Sequence, residues 1–243
     1  MDTKPGKQLT AIVTGASQGI GKAIVKRLVD DGVSVILAGR SVEKLKVVLA
    51  EFAAGDNRSC SKNLDLADTG EIEKFVKGIA DMFEQIDILV LCAAAYHGDA
   101  WTDATIDDLD ELYRTNIRGN YTLIQQMLPL LIRAKGDIVF VNSSVINSSG
   151  AGVGQYAATK HALKGMSKSL RDEINQHGVR VLSVYPGRTA TPMQESIFHN
   201  EGREYLPGKL LQPGDIADVV AACLKLPDTA EVTELHIRPK HPS

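Results

Sequence analysis

A chain of 243 residues is long enough for one large α/β domain or two small ones around a substantial buried core. Its 44% hydrophobic and 23% charged residues are ordinary for a globular protein, and no stretch approaches the ~18 apolar residues of a membrane span. The net charge of −3 gives no electrostatic reason to expect nucleic acid or an acidic membrane surface as a partner.

Short apolar, β-branched runs alternate with longer helical patterns along the whole chain. The predicted strands are Leu9 to Thr14, Val33 to Ala38, Cys60 to Leu64, Ile86 to Leu91, Asp137 to Asn142, Val179 to Tyr185 and Val232 to Ile237. The predicted helices are Ile20 to Leu28, Ser41 to Ala54, Asp68 to Phe83, Thr105 to Arg133 with a bend near Pro129, Gly154 to Gln176 and Pro213 to Lys225. This alternation predicts an α/β fold with a doubly wound, parallel, seven-stranded sheet and helices on both faces.

No repeat, low-complexity tract or linker divides the sequence, so residues 1–243 are predicted to form a single domain. The segment from Met193 to Leu211 has no clear period and is rich in Gly, Pro and charge. Loops of that length commonly act as lids or binding loops, or are disordered inserts. We expect this one to cover a substrate pocket with five apolar side chains: Met193, Ile197, Phe198, Tyr205 and Leu206.

The cysteines and the first residues indicate a reducing compartment. Cys60, Cys92 and Cys223 are far apart and have neither CxxC nor His/Cys ligand spacing, which predicts buried thiols and no metal site. The six histidines are scattered along the chain. Residues Met1 to Gln8 are polar and lack the apolar core of a secretory signal. We therefore predict a cytoplasmic protein.

A glycine-rich turn, Thr14-Gly15-Ala16-Ser17-Gln18-Gly19-Ile20-Gly21, joins the first predicted strand to the first predicted helix. Its three glycines permit a tight turn, close approach of the backbone to a phosphate and close helix–strand packing. The N-terminus of the helix then offers free N–H groups and a positive dipole end to a pyrophosphate. The position of the turn within a βαβ unit predicts dinucleotide binding.

Tyr156 and Lys160 lie four residues apart on a predicted helix and so share one face. An ammonium beside a phenol favours the ionised phenol, so we expect the pKa of Tyr156 to fall below about 10. A tyrosine poised in this way can give a proton to an alcoholate or take one from an alcohol.

Together, the TGxxxGxG turn and the downstream Tyr156-x-x-x-Lys160 motif resemble the short-chain dehydrogenase/reductase family from Leu9 to at least Met193. The resemblance implies a Rossmann fold and hydride transfer between a nicotinamide and a carbonyl or alcohol. It implies that Tyr156 is the general acid or base, and that Lys160 both lowers its pKa and binds the nicotinamide ribose. A homodimer or homotetramer is a further expectation by analogy, although the C-terminus lacks the family's common Asp-Gly-Gly ending.

The end of the second strand bears on the choice of nucleotide. An acidic residue there would bind the 2′-hydroxyl of the adenine ribose, whereas this chain has Arg40 and Ser41. A guanidinium can pair bidentately with a 2′-phosphate, so the sequence favours NADP(H) over NAD(H). NADP-dependent relatives often have a base where this chain has Gln18, and Arg40 could instead be a solvated loop cation. Asp65 matches the family's adenine-contacting Asp, or else caps a helix.

The resemblance also implies a catalytic serine after the fifth strand. In relatives it is the second Ser of such a pair, usually thirteen residues before the Tyr. Ser144 is twelve residues before Tyr156 and Ser143 is thirteen. A one-residue deletion in the following loop would make Ser144 the catalytic serine, with Ser143 the alternative. Asn116 matches the family asparagine that supports a water-linked proton relay to the lysine.

The remaining predicted cofactor contacts follow the fourth and sixth strands. Leu91-Cys92-Ala93-Ala94 replaces the family's Asn-Asn-Ala-Gly, so the asparagine that ties neighbouring strands together is missing. Pro186 to Thr191 resembles the PGxxxT segment beside the nicotinamide, with Thr189 in place of the usual Ile or Val. The predicted cofactor-binding residues are Gly15, Ser17, Gln18, Gly19, Ile20, Gly21, Arg40, Ser41, Asp65, Cys92, Ala93, Ala94, Tyr156, Lys160, Pro186, Gly187, Thr189 and Thr191; the predicted catalytic residues are Asn116, Ser144, Tyr156 and Lys160.

These features predict an NADP(H)-dependent carbonyl reductase or alcohol dehydrogenase acting on a small molecule. One alternative is an enzyme closer to the 3-oxoacyl thioester reductases, which would need a basic surface for an acidic carrier. Another is a non-catalytic NADP-binding sensor or scaffold, although such proteins tend to lose the Tyr or the Lys. The identity of the substrate is not predicted.

Overall fold

The computed structural model describes residues 8–53 and 55–240, so the predictions for residues 1–7, Ala54 and residues 241–243 lie outside it. Its strands are β1 (Thr10–Thr14), β2 (Ser34–Gly39), β3 (Cys60–Asn63), β4 (Ile88–Leu91), β5 (Asp137–Val141), β6 (Arg180–Pro186) and β7 (Glu234–Ile237). Its α-helices are α1 (Gly19–Asp30), α2 (Val42–Phe52), α3 (Thr69–Ala80), α4 (Ile106–Leu112), α5 (Asn120–Ala134), α6 (Gly154–Ile174), α7 (Pro192–Asn200) and α8 (Pro213–Leu224). None of these helices is long and apolar enough to cross a membrane.

The described strands form one parallel sheet in the order β3-β2-β1-β4-β5-β6-β7. Strand β1 pairs with β2 on one side and with β4 on the other, so the order of the strands reverses between β1 and β4. In open α/β sheets, ligands bind outside the carboxyl ends of the strands at such a reversal. The topology therefore places the candidate site at the ends of β1 and β4.

Successive side chains of the strands point to opposite faces of the sheet and enter two separate cores. Ile12 belongs to the core shared with α3, α5 and α6, whereas its neighbour Val13 belongs to the core shared with α1, α2 and α8. The predicted parallel seven-stranded sheet with helices on both faces is confirmed.

The predicted helix starts coincide with side-chain caps. The Ser41 hydroxyl accepts a hydrogen bond from the backbone N–H of Lys44 at 3.4 Å, and the Asp68 carboxylate accepts one from that of Glu71 at 3.1 Å. Thr105 caps α4 through a reciprocal capping box. These interactions satisfy N–H groups that a helix leaves free in its first turn.

The predicted helix from Thr105 to Arg133 is interrupted at Tyr113–Gly119, which is π-helical. Pro129, where a bend was predicted, lies inside α5. Gly119 packs so closely on the backbone carbonyl of Leu66 that a Cβ would collide with it. The side-chain N–H of Asn120 donates to the carbonyl of Asn116 at 2.9 Å. A π-helical insertion of this kind is typical of a functional site.

The segment from Met193 to Leu211 is not the unstructured loop predicted from its sequence. Its first half belongs to α7, which Thr191 caps by accepting a hydrogen bond from the N–H of Gln194 at 3.2 Å. Pro192 is the first residue of this helix, where a missing N–H costs nothing. A 3₁₀ turn follows at Pro207–Lys209.

Candidate active site

The glycine-rich turn lies at the carboxyl end of β1, directly beside the segment that follows β4. Gly15 and Gly19 have φ values of +65° and +55°, which glycine adopts without strain. A Cβ on Gly15 would come within 2.9 Å of the backbone of Ala93, and one on Gly21 would collide with the carbonyl of Gly15. The Gln18 side chain does not cap the N-terminus of α1, and the positive end of the helix dipole favours an anion there.

Thr14 ties the ends of β1 and β4 together. Its hydroxyl donates to the Val90 carbonyl at 3.3 Å and accepts from the N–H groups of Cys92 at 3.0 Å and Ala93 at 3.1 Å. In relatives an asparagine ties neighbouring strands together, and this chain lacks it. The Thr14 hydroxyl links β1 and β4 here. The sequence does not predict this contact, because Thr14 is recognised there only as the first residue of the glycine motif.

A cavity of about 350 Å³, here the first cavity, opens over this turn. It brings together most of the predicted cofactor residues: Gly15, Ser17, Gln18, Gly19, Ile20, Gly21, Arg40, Ser41, Asp65, Cys92, Ala93, Ala94, Tyr156, Lys160 and Thr191. Its wall also includes residues that the sequence did not single out, among them Lys44, Leu64, Leu66, Ala95 and Thr115.

Three side chains with donor groups lie at the Arg40 end of the first cavity. Arg40 is exposed, and no carboxylate among residues 8–53 and 55–240 forms an ion pair with it. Lys44 stands in the first turn of α2, close to Ser41. Its spacing could have identified Lys44, because it lies three residues after Ser41 and residues three apart on a helix share a face. Asp65 lies on the wall and accepts a hydrogen bond from the N–H of Ala67.

Tyr156 and Lys160 lie together in the first turns of α6, as their spacing predicts. The Nζ atom of Lys160 is 5.5 Å from the centroid of the Tyr156 ring and 3.5 Å from the carbonyl oxygen of Val141. The two residues are 9% and 2% exposed, respectively. An ammonium and a phenol are thus held side by side with little water around them.

The expected lowering of the phenol pKa is not observed. Burial raises the pKa of Tyr156 above its usual value, and a hydrogen bond with Ser143 opposes this only in part. Burial lowers the pKa of Lys160 to about 8. Loss of hydration disfavours the charged form of each residue and is the largest cause of both shifts. The sequence-based expectation was wrong because spacing on a helix carries no information about burial.

We expect Lys160→Met to stabilise the protein prepared without nucleotide by about 3 kcal/mol at pH 7. The pKa of Lys160 rises from about 8 in the folded state to its usual 10.5 in the unfolded state. The unfolded state therefore binds more protons between these values, and the stability of the wild-type protein rises with pH across that window. The gain from the substitution is full below pH 8 and disappears as the pH approaches 10.5.

Urea unfolding of both proteins at pH 7 and pH 10 measures this difference. Lys168→Met removes an exposed lysine from the same helix and should change stability by less than about 0.5 kcal/mol. A Lys160→Met variant that is destabilised at pH 7 would contradict the assignment of an uncompensated buried cation.

Asn116 connects the site to the loop after β4 rather than touching Lys160. Its Oδ1 accepts from the N–H of Ala95 at 2.8 Å, and its Nδ2 donates to the Ala95 carbonyl at 3.0 Å. The same Nδ2 lies 3.2 Å from the hydroxyl of Thr159, which donates to the carbonyl of Tyr156 at 2.8 Å. Asn116 therefore fixes the start of α6 against the loop that follows β4.

Asn142 is a polar residue of the site that the sequence did not single out. It lies at the end of β5, is 5% exposed and donates through Nδ2 to the carbonyl of Lys160 at 3.1 Å. Its Oδ1 is buried and has no hydrogen-bond partner in the described part of the chain. A buried acceptor of this kind is costly unless a ligand or water donates to it.

A second cavity, of about 410 Å³, shares Tyr156, Asn142 and Thr191 with the first. Three predicted cofactor residues, Pro186, Gly187 and Thr189, line the second cavity rather than the first. Ser143 and Ser144 both line it as well, and it is Ser143 whose hydrogen bond reaches the Tyr156 phenol. This contact favours Ser143, the alternative in the sequence prediction, over Ser144.

Only part of the predicted apolar lid faces the second cavity. Met193 and Ile197 line it, whereas Phe198, Tyr205 and Leu206 do not. Phe198 is 4% exposed and lies between the guanidinium groups of Arg188 and Arg203, with its ring 5.7 Å from that of Tyr205. These aromatic side chains hold α7 against the body of the protein. Polar side chains occupy much of the rest of the wall, among them Ser143, Ser148, Arg188, Gln194 and Glu201.

The three cysteines are free thiols, and each is partly buried where the sequence predicted buried thiols. Cys92 lies between the glycine-rich turn and Lys160, and burial raises its pKa to about 12. A thiol with so high a pKa is protonated at neutral pH and is a poor nucleophile. Cys92 therefore serves as a wall residue of the first cavity.

The fold and the cleft are those of a doubly wound α/β protein with a glycine-rich turn of the dinucleotide-binding type. Comparison with known proteins identifies the family. The model of the short chain dehydrogenase family matches residues 9–202. The chain belongs to the short-chain dehydrogenase/reductase family and is an oxidoreductase of that family.

Similar proteins cover nearly the whole chain. An uncharacterized oxidoreductase of Staphylococcus epidermidis is 32% identical over 96% of this chain and 98% of its own length. A metagenomic short-chain oxidoreductase in complex with NADP is 32% identical, with a TM-score of 0.82 over 96% of this chain and 98% of its own. An alcohol dehydrogenase from the archaeon Thermococcus sibiricus, complexed with 5-hydroxy-NADP, is 26% identical, with a TM-score of 0.86 over 98% of this chain and 100% of its own.

Proposed function

We propose that the protein is an NADP(H)-dependent oxidoreductase that interconverts a small carbonyl compound and the corresponding alcohol. The observation that carries this proposal is the position of Tyr156, whose side chain lines both cavities. The first cavity has the features of a dinucleotide site, and the second cavity offers space for a substrate beside the same phenol. A proton donor therefore stands where a cofactor and a substrate would meet.

The first cavity fits a nicotinamide dinucleotide. The glycine-rich turn excludes side chains at Gly15 and Gly21, and the positive dipole end of α1 favours a pyrophosphate there. The unpartnered Oδ1 of Asn142 would accept a hydrogen bond from a ligand hydroxyl or amide. When bound, the cofactor supplies or accepts the hydride.

Arg40, Ser41 and Lys44 would hold the 2′-phosphate that distinguishes NADP from NAD. Two cations and a hydroxyl at one end of the first cavity suit a dianionic group. The NADP-containing structures of similar proteins support the same choice.

In the reductive direction Tyr156 donates its proton to the oxygen of the carbonyl group. Burial keeps the pKa of Tyr156 above its usual value, so the phenol carries its proton at neutral pH. The Ser143 hydroxyl hydrogen-bonds to the phenol and would orient the same oxygen. Lys160 would stabilise the phenolate left after transfer, and Asn116 holds the start of α6 in place.

The two neighbouring serines give a paired test of this arrangement. We expect Ser143→Ala to lower kcat/KM by about 100-fold, in line with the loss of one donor to a developing oxyanion. Ser144→Ala is the matched control and should stay within about threefold of the wild type, since only Ser143 hydrogen-bonds to the phenol. Steady-state kinetics with NADPH measures both, and a larger loss in Ser144→Ala would restore Ser144 as the catalytic serine.

The proposal includes a homo-oligomer. Ile106 on α4, Tyr113 in the π-helical segment and Tyr121 on α5 are 71%, 49% and 55% exposed. Exposed large apolar side chains favour association with a partner when they form a patch. Light scattering coupled to gel filtration measures the mass in solution, and a monomer of 26.2 kDa would contradict this part of the proposal.

A panel of aldehydes, ketones and one 3-oxoacyl thioester, assayed with NADPH and again with NADH, tests the function. We expect NADPH-dependent reduction of at least one simple carbonyl compound and much weaker activity with NADH. Turnover of the thioester alone would favour the thioester reductase alternative. Tight NADPH binding with no turnover of any compound would favour a non-catalytic sensor.

A further inference from the structure

We propose that the Tyr96 ring limits the width of the substrate site beside the reacting carbonyl, and so selects carbonyl compounds with one small substituent. This inference rests on the proposed function and adds a specificity-determining residue to it. Tyr96 follows β4, in a segment that the sequence did not connect with the substrate.

Tyr96 stands next to the proton donor. Its ring centroid is 5.0 Å from that of Tyr156, and the two rings meet edge to face at 66°. Tyr96 lines the second cavity but not the first. A carbonyl group that receives a proton from Tyr156 therefore has the Tyr96 ring as its neighbour, while the cofactor site does not depend on that ring.

The residues on both sides of Tyr96 are held in place, Ala95 through its backbone and His97 through its side chain. The amide of Asn116 bonds both the N–H and the carbonyl of Ala95, at 2.8 and 3.0 Å. On the other side, the Nε2 atom of His97 is 2.9 Å from the Glu111 carboxylate on α4. A ring flanked by two anchored residues makes a wall that resists displacement by a wider substrate.

Gly98 provides the space that this position of Tyr96 needs. A Cβ at residue 98 would come within 2.9 Å of Cζ of Tyr96 and closer still to its hydroxyl oxygen. Gly98 is not among the glycines with positive φ, so its backbone does not require a glycine. A methyl group at this position would displace the end of the Tyr96 side chain without removing it.

The experiment compares kcat/KM for two substrates with NADPH. One is the best substrate of the carbonyl panel, and the other is its analogue with an isopropyl group in place of the smaller substituent on the carbonyl carbon. We expect Tyr96→Ala, with Tyr96→Leu as a second variant, to raise the wide-to-narrow ratio of kcat/KM by about tenfold or more. Tyr96→Phe keeps the ring and should leave the ratio within about twofold.

The Gly98→Ala variant tests whether the change in the kcat/KM ratio depends on the position of the Tyr96 ring. We expect it to change the ratio by about threefold or more in the wild-type background, and to have no effect when Tyr96 is already Ala. Gly165→Ala is the control, because a Cβ there meets nothing within 4 Å. Affinity for NADPH should be unchanged in every variant, which also reports correct folding.

The outcomes separate three cases. An equal loss of kcat/KM for both substrates in Tyr96→Ala would mean that Tyr96 only braces Tyr156, and it would overturn this proposal. An unchanged ratio in both Tyr96→Ala and Tyr96→Leu would overturn it too. A wild-type enzyme that binds NADPH but reduces no carbonyl compound would overturn the proposed function, and this inference with it.

Discussion

Replacing Tyr156 with Phe is expected to lower kcat/KM for carbonyl reduction by about 1000-fold, within the range that positioned proton transfer contributes. The substitution removes the phenolic oxygen and keeps the ring, so the edge-to-face contact with Tyr96 is preserved. NADPH affinity should therefore change little. Steady-state kinetics and a fluorescence titration with NADPH measure the two quantities.

Tyr185→Phe is the matched control for this substitution. Tyr185 is fully buried, and its hydroxyl donates to Glu234 at 3.3 Å, but it lines neither of the two cavities. It should keep activity within about threefold of the wild type. Undiminished turnover in Tyr156→Phe would remove Tyr156 from the mechanism.

Arg40→Glu is expected to shift the preference for NADPH over NADH by about two to three orders of magnitude. The substitution removes a charge-assisted pair with the 2′-phosphate, worth about 1.5–3 kcal/mol, and adds a like charge beside that phosphate. The new carboxylate can also accept hydrogen bonds from the ribose hydroxyls of NADH. The ratio of kcat/KM values for the two cofactors measures the shift.

Lys44→Ala provides a graded comparison for Arg40→Glu. It removes one cation from the same end of the first cavity without adding a negative charge, so we expect a smaller shift of about tenfold. Lys168→Ala, which removes an exposed cation from α6, should leave the cofactor preference unchanged. An enzyme that keeps its preference for NADPH after Arg40→Glu would contradict the assignment of the 2′-phosphate site.

Features with a local signal in the sequence were predicted well. The alternation of apolar strands with amphipathic helices gave the parallel sheet, and Ser41, Asp68 and Thr105 marked the starts of three helices. The glycine-rich turn was recognised from its position between β1 and α1. In each case the physical cause acts over a few residues, so a short pattern is enough to predict it.

Features that depend on tertiary packing were not predicted. The π-helical segment Tyr113–Gly119 depends on the approach of Gly119 to Leu66, which is distant in sequence. Helix α7 presents too few apolar residues to show a period, and Phe198 turned out to pack between two arginines instead of facing the cleft.

The pKa values and roles of the candidate residues were harder to predict than their closeness in space. Spacing placed Tyr156 and Lys160 together, but their pKa values follow burial, which a one-dimensional pattern does not contain. Spacing alone does not decide between Ser143 and Ser144, whereas the hydrogen bond with the phenol favours Ser143. The catalytic and cofactor-binding roles of these residues remain proposals that the variants test.

One reaction accounts for the Tyr156–Lys160 pair, the glycine-rich turn and Ser143. It is hydride transfer from NADPH to a carbonyl carbon, with Tyr156 as the acid. Mass spectrometry of the alcohol formed with NADPH deuterated at C4 of the nicotinamide tests it most directly. We expect the wild-type enzyme to give product with one deuterium on the carbinol carbon, from one of the two C4-labelled stereoisomers only, and Tyr156→Phe to form almost none. Product without deuterium from either stereoisomer, or equal product from Tyr156→Phe, would contradict the account.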